Sequence, residues 1–209
     1  MCLQYLWQKF TRRKRRQMTS KVITREVAVG TWVRRAMVDF FAAFQLEDLS
    51  HLRLFFYHQG IEKLCKALLI GTHADQFADL DDDQTMKWID TFARSLKHDL
   101  ADMIDQVVSD DPQLQSFAFD KGLITVLMKG YQEGRYPTPS SKSLWRNPGL
   151  EGFAGTDLDE KAYQLGFKLL ERLNKRFDLE FSLKEVPSGA KPKDWERFCN
   201  IWNLRGGRR

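Results

Sequence analysis

At 209 residues, 43% hydrophobic and 12% aromatic, the chain can bury one sizeable core but not two comfortable ones, and it is too apolar to be read as disordered. The formal charge of +5 is unevenly spread: residues 1–35 carry ten Lys/Arg against one Glu, residues 36–190 carry 17 against 25 Asp/Glu, and residues 191–209 carry six against two. The basic pI near 9.1 therefore describes the ends, and is weak support for a nucleic-acid-binding core.

Residues 1–30 read as a basic leader, 31–180 as a helical body, and 181–209 as a tail. In the leader, a short apolar stretch precedes TRRKRRQ, the reverse of a signal peptide. Met18, followed by Thr19, Ser20 and Lys21, would make an ordinary start. Val33, Met37, Phe40, Phe41 and Phe44 predict a first helix from about Thr31 to Leu46. Ser50 is a plausible cap for a second helix ending near Gly71. An Asp-rich stretch (Asp75, Asp79, Asp81, Asp82, Asp83) lacks calcium-loop spacing and reads as solvated surface leading into a third helix.

That helix has the clearest period: Ile89, Phe92, Leu96, Leu100, Met103 and Val107 recur at steps of three and four until Asp111-Pro112 breaks it. A fourth helix spans about 113–131, followed by a Pro/Gly-rich loop over 134–156. Thr156 and Asp159 open a fifth helix through Leu165, Leu169 and Phe177. Alternation at Phe177, Leu179, Phe181 and Leu183 suggests a short strand, with residues 22–29 as a potential partner. Trp195, Phe198 and Trp202 suggest a docking helix. Short connections favour an all-α, antiparallel up-and-down bundle of four to five helices with irregular basic termini.

Polar groups stand out in the second helix. In YHQGIEKLCKALL (residues 57–69), Leu54, Tyr57, Ile61, Leu64, Cys65 and Leu68 share a face, while His58, Glu62 and Lys66 recur every fourth residue along its edge. Glu62 before Lys66 is the favoured order for a helical ion pair. The line reads either as one wall of a polar pocket or as an intrahelical pair beside a buried histidine. Arg135-Tyr136-Pro137 reads either as a helix C-cap or as a guanidinium offered to an anion. Trp145 and Arg146 follow in the loop. The four histidines have no metal-ligand spacing and the three cysteines (Cys2, Cys65, Cys199) form no C-x-x-C pair, so no metal is expected. No cofactor motif and no apolar run of the ~18–20 residues a membrane span needs is present; the expected compartment is reducing and cytoplasmic.

YHQGIEKLCKALL, His98-Asp99-Leu100 and Arg135-Tyr136-Pro137 occur in the order and helical positions of HEPN domains, the "higher eukaryotes and prokaryotes nucleotide-binding" helical bundles, and the chain resembles that family over residues 31–180. The resemblance implies a bundle, commonly a homodimer, with a polar cleft between helices. It implies nucleotide or RNA binding, a nucleotidyltransferase partner in toxin–antitoxin pairs, or metal-independent ribonuclease activity. The anion-binding candidates are then His58, Glu62, Lys66, His98, Arg135 and Tyr136. In that resemblance the ribonuclease branch carries Arg followed four to six residues later by His, usually with a polar residue just after the Arg, near the start of a late core helix. Arg53-x4-His58 meets the spacing, but Leu54 follows the Arg and the pair lies in the second helix, and Arg94-x3-His98 is only R-x3-H, so these four are weak catalytic candidates and the expectation is a non-catalytic, accessory or defence-associated module. A ligand-free interaction module is the remaining reading.

Overall fold

The computed structural model describes residues 23–46, 50–115, 119–135, 156–179 and 190–202. They form seven α-helices and two 3-10 turns, with no strand among the described residues. The helices are α1 (Arg25–Gln45), α2 (Ser50–Thr72), α3 (Asp82–Ser95), α4 (Leu100–Asp110), α5 (Lys121–Arg135), α6 (Thr156–Phe177) and α7 (Pro192–Ile201). None is long and apolar enough to cross a membrane.

The first helix starts earlier than its apolar period suggests, because Thr24 caps it by accepting from the Val27 amide. The Ile23 amide donates to Asp82 at 2.6 Å, tying this start to that of α3. Residues 25–29 are therefore helical rather than a strand, and the partner segment 180–183 lies outside the described residues. The predicted third helix is two helices. Asp99 caps α4 by accepting from the Ala101 and Asp102 amides, and Lys97 takes a left-handed conformation with φ of 54°. His98 thus sits in a turn, not on a helix face shared with Arg94. The fourth predicted helix is also shorter: Pro112–Leu114 forms a 3-10 turn, and α5 begins at Lys121 beneath Asp120, which accepts from the Gly122 and Leu123 amides.

The second helix is the centre, packed by α1, α4, α5 and α6. From Ile61 to Gly71 every residue but Lys63 is buried, so the helix is covered on all sides and its polar residues must find partners inside the protein. The first helix runs antiparallel to it, with Asp39 on Lys63 and Trp32 under Lys66. The sixth runs parallel to it in fixed register: Arg53 pairs with Asp159, Tyr57 meets Tyr163, and Phe177 lies over Gly71.

Candidate functional site

The carboxylate of Glu62 is 3% exposed and is the hub of the site. Lys66 Nζ donates to it at 2.8 Å, Gln59 Nε2 donates at 3.3 Å, and His98 Nδ1 lies 3.1 Å from each carboxylate oxygen. A carboxylate only accepts, so the Nδ1 of His98 carries a proton and donates to it. The His98 side chain is 50% exposed, which makes it the outward-facing member of the group. Burying Glu62 is costly unless these partners remain in place, and they come from two separate parts of the fold.

His58 is fully buried, with Nδ1 3.6 Å from Glu62. Burial pushes its pKa down to about 4, outweighing the attraction of Glu62 and of the His98 backbone. The ring is neutral at pH 7 and stacks on Tyr131 of α5, centroids 4.4 Å apart. Tyr131 also lies 5.3 Å from the His98 ring and stacks on Phe55. It reaches α2 because the preceding residue is Gly130, where a Cβ would come within 2.4 Å of the Leu54 Cβ.

The structure gathers four of the sequence candidates, His58, Glu62, Lys66 and His98, into one cluster. The first three lie deeper than the edge of an apolar stripe. Lys66 is 5% exposed, bound to Glu62 and set over the Trp32 ring at 5.8 Å, so its charge is used internally rather than offered to a phosphate. Arg53 pairs with Asp159 on α6, and Arg94 is 79% exposed beside Asp90 on α3. Arg135 is the last residue of α5, one turn beyond Tyr131; its side chain lies outside the described residues, as do Tyr136, Trp145 and Arg146. Among the described residues no group of His, Cys, Asp or Glu has the geometry of a metal site.

Sequence reading missed Tyr131, Trp32 and Gln59 as members of the site. Tyr131 falls in the apolar period of its helix, and only the adjacent glycine signals the close approach that sets its ring on two histidines.

Comparison of the chain with family models, with curated proteins and with solved structures gave no match.

Proposed function

We propose that the chain is a HEPN-like helical module that binds a nucleotide or an RNA-derived phosphate at the outer edge of the Glu62 cluster without turning it over. The observation that carries this reading is the buried carboxylate holding the half-exposed His98 at the surface: Glu62 fixes Nδ1 and so orients the imidazole, whose other nitrogen is left to meet a phosphate group. Tyr131 and His58 back the ring from α5 and α2. The non-catalytic part rests on the arginines. A phosphoryl transition state needs charge stabilisation, and Arg53 and Arg94 are paired with Asp159 and Asp90. The accessory or defence-associated role, the homodimer and the nucleotidyltransferase partner belong to the same proposal and rest on the HEPN resemblance; the cytoplasmic location, also part of it, rests on the cysteine pattern and the lack of a long apolar run.

Thermal denaturation with ATP, GTP and short single-stranded RNA tests it. A ligand at a hundredfold its Kd adds about 2.7 kcal/mol of stability. The expected result is a rise in Tm with one of the three that His98→Ala abolishes; no rise with any of them overturns the reading.

One observation favours a second reading. A half-exposed imidazole whose Nδ1 is held by a buried carboxylate has the arrangement of a general base, which is what a metal-independent ribonuclease uses to take the 2′-hydroxyl proton. Cleavage of single-stranded RNA by the native chain, lost in His98→Ala, would establish it; intact RNA after prolonged incubation would remove it.

A further inference from the structure

The Glu62 carboxylate is held by a flanking donor on each oxygen. Lys66 Nζ meets Oε1 at 2.8 Å and Gln59 Nε2 meets Oε2 at 3.3 Å, while His98 Nδ1 sits midway, 3.1 Å from both. A carboxylate turning about its last bond would carry an oxygen away from the histidine. The two flanking donors therefore fix the plane on which the imidazole docks.

Both flanking donors lean on α1. Gln59 and Lys66 lie seven residues apart on α2, about two helical turns, and so do Trp32 and Asp39 on α1. The antiparallel helices set Trp32 under Lys66, with Nζ 5.8 Å from the ring centroid, and Asp39 beside Lys63, one turn on from Gln59. Lys63 links this second contact to the site: its Nζ pairs with Asp39 and also donates to Gln59 Oε1 at 3.4 Å.

Those partners leave the Gln59 amide one workable orientation. An ammonium only donates and a carboxylate only accepts, so the amide oxygen turns to Lys63 and the nitrogen to Glu62. Turned over, it would set N–H against N–H at one end and oxygen against oxygen at the other. Charge alternates along the line, from Asp39 to Lys63 to Glu62. Burial pushes the Asp39 carboxyl up, Lys63 opposes it, and Glu62 adds to the rise, so the two carboxylates act on each other across the seam.

We infer, resting on the reading of His98 as the ligand-facing group, that Asp39 and Lys63 are positioning residues for it: through the Gln59 amide they hold the Glu62 carboxylate in the orientation that fixes the imidazole. Helix α1 thereby sets the geometry of a histidine carried on the α3–α4 turn.

Lys63→Met and Gln59→Met test it. Both side chains are partly exposed, and methionine keeps an unbranched chain without the polar ends, so the fold is retained, as far-UV circular dichroism checks. The readout is the nitrogen-15 shifts of the His98 ring in the full chain without ligand, taken at a pH where the ring is neutral. In the native chain the remaining proton stays on Nδ1, held by Glu62. In Lys63→Met and in Gln59→Met it spreads over both nitrogens, and Lys63→Arg, which keeps a donor for Asp39 and Gln59, restores the native pattern. A native pattern in either methionine variant overturns the inference, as does a native proton already shared between the nitrogens or a Lys63→Arg ring as altered as that of Lys63→Met. Because no ligand enters this measurement, failure of ATP, GTP and RNA to raise Tm removes the proposed function and leaves the ring pattern unchanged.

Discussion

Glu62 and His58 show how two residues on one helix turn can differ in what they contribute. Glu62 is charged and surrounded by donors, so removing it strands Lys66 in the interior. Breaking a buried pair from one side typically costs about 3–5 kcal/mol, and Glu62→Ala is expected to fall in that range by urea denaturation. The double variant Glu62→Gln, Lys66→Met removes both charges and is expected to recover much of the loss. His58 acts through pH instead. Its folded pKa of about 4 lies below the ordinary 6.5, so the unfolded chain binds the extra proton between those values. Its contribution to stability is therefore present above about pH 6.5 and lost as pH falls towards 4, about 3 kcal/mol over the window. Glu62, Lys66 and His98 all act electrostatically on the ring, so the comparison needs a matched variant. Urea midpoints measured from pH 7 to 4.5 should fall more steeply in the native chain than in His58→Leu; parallel curves would contradict the assignment.

At the scale of elements, the α3–α4 turn and the α2–α5 contact decide whether the site forms. The unbroken period from Ile89 to Val107 is a true record of which residues face the core, and Ile89, Leu96, Leu100, Met103 and Val107 are buried. Period alone does not register a turn that returns the chain to the same face. The break was legible only in Asp99, an N-cap residue placed before a fresh acidic first turn. Lys97 leaves no such trace, because a left-handed lysine is held by its surroundings rather than by its own preference. The α2–α5 contact is governed by Gly130. Gly130→Ala forces a methyl against Leu54, and overpacking of this kind costs about 1–3 kcal/mol. It should also lift Tyr131 from His58, so ligand-induced stabilisation is expected to fall together with Tm. A loss of Tm with ligand response unchanged would show that the tyrosine does not support the site.

Over the whole molecule, the helical class and the docking of Trp195, Phe198 and Trp202 were legible because each follows from apolar spacing, whereas the second helix read as one apolar face with a polar edge and is instead covered on all sides. The parallel register of α2 and α6 was not: Arg53 with Asp159 and Tyr57 with Tyr163 are partners only after the intervening helices have packed. The same holds for the tie between α4 and α6. Asp111 reads in the sequence as half of a helix-breaking Asp-Pro, yet it is buried at the end of α4, where Arg172 Nη2 donates to it at 3.0 Å and Arg176 Nη1 lies 3.2 Å away. Burial opposes its charge, but the two guanidinium groups and the Gln113 amide prevail and hold its carboxyl below the usual range. A depressed carboxylate pKa contributes stability above the unfolded-state value and loses it as pH falls through the folded one. Asp111→Asn keeps the amide bond but drops the charge, and Asp111→Ala drops both. The expected order of Tm is native, then Asn, then Ala, with the Ala variant losing about 3 kcal/mol near neutral pH. The gap should narrow in acid as the native carboxylate protonates. If Asn and Ala are equally destabilised at neutral pH, and the gap persists in acid, the cap and the charge are not the tie between α4 and α6.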